Sequence, residues 1–242
     1  MDRKCQDPSF EQISAVLRLT IMAKYPTPGT VKTRLTPKLT PEQAARVQTV
    51  FIRHWIRRVS SLRVALPVVF ADPPEMVLPF AALLPRELFG VIEPQASGDL
   101  GERLIDATSR LQSPLPFRPF FIGVDSPDVP DATLIHAMRL VKQGTVVIGA
   151  AGDGGFWSVG LGAGVDAATL FRDIEWSSGR EASQVIARAQ KAGYDVRHAG
   201  MWDDVDRPDD LRRLMRRLKA SRVELDRALY RSLKFLPREL QA

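Results

Sequence analysis

The chain has 242 residues, enough for one α/β domain with short additions, and 45% of them are hydrophobic, which suffices for a full core. No apolar run approaches the roughly 18 residues of a membrane span, and the start lacks a signal peptide's apolar centre. A single cysteine (Cys5) and three scattered histidines (His54, His136, His198) exclude internal disulfides and argue against a zinc cluster, so a cytoplasmic location is expected. The net charge of +6 belongs to the tail: from Arg212 to Ala242 ten Lys and Arg face three acids, leaving −1 for the rest. Nucleic acid could bind such a tail, but with few aromatic platforms there a solvated helix face is the expectation.

Residues 1–15 read as an N-terminal extension. Leu17 to Ala23 alternates in polarity and is predicted as the first strand. It runs into Lys24-Tyr25-Pro26-Thr27-Pro28-Gly29-Thr30-Val31-Lys32-Thr33-Arg34-Leu35. Prolines and Gly29 shape this loop, and Lys24, Lys32, Thr33 and Arg34 offer cations and a hydroxyl that suit phosphate oxygens. Neither the P-loop nor the Gly-x-Gly-x-x-Gly spacing is present, and a plain surface loop is the alternative. Thr40-Pro41-Glu42-Gln43 opens a helix whose apolar stripe is Val47, Phe51, Trp55, Val59 and Leu62. A strand over Arg63 to Ala71, irregular at Pro67, a helix over Pro74 to Leu84 and a short strand over Leu88 to Glu93 follow.

Gln95 to Arg103 forms a second strand-to-helix turn. Gly98, Asp99 and Arg103 could meet a nucleotide or phosphate there, although spacing alone favours Asp99 as a plain N-cap. Phe120 to Val124 is a buried-strand run that stops at Asp125, with Pro127 and Pro130 preventing its continuation. A carboxylate at the end of a central strand lies where open α/β sheets bind ligands; the alternative is a cap for the helix Asp131 to Lys142. The strand Thr145 to Ile148 delivers Gly149 to Trp157, where glycines flank Asp153 in a turn that also reads as a hairpin into Phe156 to Leu161. Trp176 lies in a loop before the helix Arg180 to Lys191, either lining a pocket or packing.

A strand over Tyr194 to Ala199 follows, then Asp206, which could meet Asp125 across the sheet, and a helix from Pro208. Leu225, Leu229 and Leu233 continue a helical stripe in the tail that needs the domain, or a second subunit in a homodimer, to cover it. The alternation of strands and helices gives a single α/β domain, residues 16–220, with a mainly parallel mixed sheet and a basic C-terminal helical extension, 221–242.

Six motifs in order resemble a known family. They are Lys24-x-Pro26-x-Pro28-Gly29-x-Val31-Lys32-Thr33-Arg34-Leu35, Gly98 to Arg103, Gly123-x-Asp125-Ser126-Pro127-Asp128, Asp153-Gly154-Gly155-Phe156-Trp157, Trp176-Ser177, and Asp204-x-Asp206-x-x-Asp209-Asp210-Leu211. The chain is similar to the glycosyltransferase-A-like proteins described as radical-SAM/selenodomain-associated, or arsenosugar-biosynthesis, transferases. The resemblance implies a GT-A nucleotide-diphospho-sugar transferase fold, with Asp125 and Asp206 holding Mg²⁺ or Mn²⁺. One departure is that Pro127 replaces the second carboxylate of an Asp-x-Asp. The expected activity is transfer from a nucleotide sugar to a small-molecule acceptor; a nucleotidyltransferase acting on a nucleoside triphosphate is the alternative. Asp153 is the candidate for acceptor binding or base chemistry, with Gly154, Gly155 and Trp176 beside the acceptor. Two carboxylates brought that close should raise each other's pKa unless a cation compensates.

Overall fold

The computed structural model describes residues 17–62, 66–84, 91–113 and 116–241. The expected N-terminal extension, the first residues of the second strand and Leu88 to Gly90 lie outside the described residues. One seven-stranded sheet runs in the order β3-β2-β1-β4-β6-β5-β7. Its strands are β1 (Leu17–Lys24), β2 (Leu66–Asp72), β3 (Val91–Pro94), β4 (Arg118–Ile122), β5 (Thr145–Ala150), β6 (Phe156–Leu161) and β7 (Asp195–Met201). All neighbours are parallel except β6, which runs antiparallel to both β4 and β5. Pro67 sits inside β2 opposite Leu19, but the β3 pairing begins only at Val68, so its missing N–H interrupts no ladder with β3.

The period-2 alternation of the strands builds two cores, one on each face of the sheet. Leu19, Ile21, Phe120, Ile122 and Val147 face the helices α1 (Pro41–Leu62), α4 (Asp131–Leu140), α7 (Pro208–Ala220) and α8 (Glu224–Ser232). Phe70, Phe121, Val146 and Ile148 face α3 (Leu100–Leu111), α5 (Ala167–Phe171) and α6 (Glu181–Lys191). The helix predicted over Pro74 to Leu84 is a 3-10 turn, Pro74–Met76, followed by the short α2 (Val77–Ala81). The cap of α1 forms as the sequence predicts: the Thr40 hydroxyl accepts from the Gln43 N–H, and the Gln43 side chain accepts from the Thr40 N–H.

The basic tail is part of the first core. Leu229, Leu233, Leu236 and Leu240 are buried in the same cluster as β1 and α1. The tail stripe is therefore covered by the chain's own domain, with Ser221 to Val223 breaking the segment into α7 and α8. No helix among the described residues is long and apolar enough to cross a membrane.

Candidate active site

The chain goes β1, β2, β3 in one direction and then returns to place β4 on the other side of β1, so the strand order reverses between β1 and β4. In open sheets of this kind ligands bind beyond the carboxyl ends of the strands at that reversal. The loop after β1, residues 25–40, and the turn after β4, residues 123–130, meet there. Because β5 and β7 run parallel to β4, the glycine turn after β5 and the segment 202–206 after β7 open at the same edge.

Lys32 is the centre of the arrangement. Its side chain is 3% exposed, and its Nζ lies 2.7 Å from Asp125 Oδ1 and 3.1 Å from Asp206 Oδ1. It also donates to the Val205 carbonyl at 2.7 Å. Burial works against the ammonium, but the charges of Asp125 and Asp206 outweigh it, and the Lys32 pKa is raised. The residue sits in the left-handed region (φ 48°) before a single 3-10 turn, Thr33–Leu35. A side chain other than glycine held there costs roughly 1 kcal/mol, which the ion contacts offset. Thus the cation that compensates the two acids is the chain's own. The 2.7 Å contact between Lys32 and Asp125 Oδ1 is an ion pair.

The segments carrying the acids are bonded to each other and fixed from behind. The Val205 N–H donates to the Asp125 carbonyl at 2.8 Å. The Asp210 carboxylate accepts from the N–H groups of Asp206 and Arg207, which sets the entry to α7. His54 contacts the Pro127 carbonyl, and Arg58 donates to the Pro127 and Val129 carbonyls and pairs with Asp131. Asp128 accepts from Trp202 and pairs with Arg217. Asp131 is the first residue of α4, and the N-cap, Pro130, supplies no side-chain bond. Asp131 is held by its pairing with Arg58.

A pocket of about 240 Å³ opens over Lys32 and is lined by Lys24, Thr30, Thr33, Arg34, Gln48, Asp125 and Asp206, among others. Arg34 lies at its rim, 63% exposed, 3.5 Å from Asp206 Oδ2. Gly29 adopts φ 79° in the same loop. The atoms that accept from or pair with Lys32 Nζ are oxygens of Asp125, Asp206 and Val205, the ligand type a hard cation prefers. Among the described residues, no three His, Cys, Asp or Glu side chains surround one metal position.

Asp204 opens the last of the six motifs, but its place in the sequence assigns it no role. Burial first, then the charge of Asp125, pushes it up to about 7, and it accepts from Ser126 Oγ. The acid-rich run Asp203 to Asp206 signalled it, but not which member turns inward.

The other predicted residues are not part of the pocket lining. Asp99 caps α3 in a reciprocal box with Glu102, and Gly98 adopts φ 100° ahead of it. Arg103 pairs with Asp72 at 3.3 Å and donates to the Gly98 carbonyl. Asp153 is exposed in the turn between β5 and β6 and accepts from the Gly155 N–H at 3.0 Å. A Cβ on Gly154 would lie 1.8 Å from the Gly179 carbonyl oxygen, so glycine lets the 175–180 loop close against this turn. Trp176 meets Phe156 edge-on at 6.3 Å and is half-buried.

A family model described as an uncharacterized protein conserved in bacteria, DUF2064, matches residues 56–178. The chain belongs to that family. The matched span includes Asp99, Asp125, Asp153 and Trp176 and stops short of Asp206. A crystal structure from Desulfovibrio desulfuricans G20, provisionally assigned as a nucleotide-diphospho-sugar transferase, is similar with TM-score 0.78 and 27% identity, over 93% of this chain and 98% of its own. A cytidylyltransferase of Leptospira borgpetersenii serovar Hardjo-bovis shares the fold at TM-score 0.56 and 12% identity, over 94% of this chain and 97% of its own. None of the curated proteins matches the chain. The fold is thus that of the nucleotide-diphospho-sugar transferase neighbours, with the mixed, mostly parallel sheet expected from the sequence.

Proposed function

We propose that this chain is a transferase that takes a nucleotide-diphospho-sugar donor and passes the sugar to a small-molecule acceptor. The observation that carries this reading is the convergence of Asp125 and Asp206, about eighty residues apart in the chain, on one cation where the strand order reverses. The near full-length likeness to the Desulfovibrio protein supports the donor class. Breaking the sugar–diphosphate bond builds negative charge on the leaving phosphates. Lys24 and Arg34 line the pocket as fixed positive charges for those oxygens. Asp125 and Asp206 would hold Mg²⁺ or Mn²⁺, which supplies further charge neutralisation when bound. The oxygens of Asp125, Asp206 and the Val205 carbonyl that now face Lys32 are the ligand type such an ion takes. Asp153 opens at the same sheet edge and is proposed to orient or deprotonate the acceptor beside Gly154, Gly155 and Trp176. The link to arsenosugar or radical-SAM chemistry rests on the motif resemblance alone.

Nucleotidyl transfer is the second reading, supported at the level of fold by the Leptospira enzyme. The two differ in what leaves. Incubation with a panel of nucleotide sugars and Mn²⁺ should release a nucleoside diphosphate, with water taking the sugar slowly where no acceptor is supplied. Release of pyrophosphate from nucleoside triphosphates, with no turnover of any nucleotide sugar, would replace the first reading by the second.

A further inference from the structure

We propose that Lys32 is a resident counter-cation: its ammonium holds the position between Asp125 and Asp206 in the free protein and gives it up when a divalent ion enters. The proposal rests on the metal reading above and adds an exchange to it. Three oxygens surround Lys32 Nζ at 2.7, 2.7 and 3.1 Å, from Asp125, Val205 and Asp206. A divalent ion drawn to the same oxygens cannot share that space with an ammonium, because two cations so close repel. The free protein needs the lysine there, since two neighbouring carboxylates without a cation repel each other as well.

The backbone is suited to such an exchange. Lys32 is held in the left-handed region without being glycine, and the next residues form one isolated 3-10 turn rather than a long helix. The loop before it carries no regular structure from Tyr25 to Lys32. Four methylene groups let the ammonium move several ångströms without moving the turn. The pocket above it is already lined by Lys24, Thr33 and Arg34, so an expelled Lys32 would join the groups that face phosphate. Metal entry would thereby add a positive charge to the phosphate side, and donor binding and metal binding become coupled.

The test is a titration of the full chain with Mn²⁺ alone, following the free-ion paramagnetic resonance signal. Lys32→Met is expected to bind Mn²⁺ at least tenfold more tightly than wild type, and Mn²⁺ is expected to raise its melting temperature more than that of wild type. Adding Asp125→Asn to Lys32→Met should abolish the gain. Equal or weaker Mn²⁺ binding by folded Lys32→Met overturns the proposal. Lys32→Gln replaces it if the methionine variant does not fold. A measurement on wild type needs no variant: millimolar Mn²⁺ should increase acetylation of Lys32, read by peptide mass spectrometry, and unchanged labelling counts against the exchange. If wild type binds Mn²⁺ with a nucleoside diphosphate through Asp125 while Lys32→Met shows no gain, the exchange fails and the metal reading stands. If Mn²⁺ binding is absent even with the nucleotide, both fail.

Discussion

Two turns of this chain carry the same kinds of residue and end differently. The loop after β1 and the turn after β3 each lead from a parallel strand towards a helix, and each combines glycine, cations and polar side chains. In the second, the charges are satisfied mostly close by: Asp99 and Glu102 cap α3 reciprocally, and Arg103 bonds to the Gly98 carbonyl and reaches outside the turn to Asp72 at the end of β2. In the first, Lys32 is drawn away from its own loop to acids from two other segments, while Lys24 and Arg34 remain at a pocket. A turn satisfied largely by its own residues and the neighbouring strand end stabilises the fold. A turn whose charges are completed only by distant segments assembles a site, and its charge balance can be altered by a ligand.

The largest effect should come from breaking the assembled turn at its centre. Lys32→Met leaves Asp125 without its cation and Asp206 with Arg34 alone, and should cost about 2–3 kcal/mol, below the cost of breaking a fully buried pair because both acids are partly exposed. Urea unfolding without metal checks it. A loss under about 0.5 kcal/mol would mean the lysine is not structurally required. Asp125→Asn should also cost stability in the free protein, about 1–2 kcal/mol, because Lys32 then keeps one carboxylate instead of two. Two close carboxylates taken alone predict relief of repulsion, or almost no change in stability, for that substitution; with Lys32 between them the expected sign is a loss.

His54 tests the frame behind the same turn. Burial first, and then the charge of Arg58, hold its pKa down at about 4, below the ordinary 6.5. The unfolded chain therefore takes up a proton between about pH 6.5 and 4 that the native state refuses. The contribution is full above pH 6.5 and is lost as pH falls towards 4, in total about 3 kcal/mol. Asp204, pushed up to about 7, has the opposite sign, so its effect is to gain stability over pH 7 to 4. His54→Gln should remove only the histidine part of the slope. An unchanged difference in urea midpoints between pH 7 and pH 4.5 would show that His54 is not what titrates.

The self-contained turn should respond weakly and only in stability. Asp99→Ala should cost about 1 kcal/mol through the lost cap and leave nucleotide affinity within twofold of wild type. A tenfold loss of affinity at unchanged stability would bring that turn back into the site. Smallest in stability is Arg34→Ala at the pocket rim: a melting temperature unchanged within a degree or so, with nucleoside diphosphate affinity reduced about three- to tenfold and more so at low salt.

Much of this was legible because the signals are local. The strands announce themselves by alternation, the cap of α1 by Thr40 and Gln43, and Asp125 by an apolar run that stops at a carboxylate before two prolines. Asp206 could be suspected from its place before a helix start. The burial of Lys32 could not be read, since a lysine in a proline- and glycine-rich loop looks solvated, and nothing local tells it from Lys24 or Arg34. Its position is set by acids about ninety and one hundred and seventy residues further on. Asp204 has no such local signal; its bond from Ser126, a residue of another segment, marks it as the acid that turns inward. The tail reads as an extension because its basic residues dominate its composition, while four leucines in it complete the core.

The most direct test of the central claim is titration calorimetry of nucleoside diphosphates, with and without Mn²⁺, on wild type and Asp206→Asn. If Asp125 and Asp206 form the cation-centred heart of a donor site, wild type binds at least one diphosphate more tightly with Mn²⁺, and Asp206→Asn loses that gain by a factor of about ten or more while keeping its fold. Equal, Mn²⁺-dependent binding by both proteins would contradict the account.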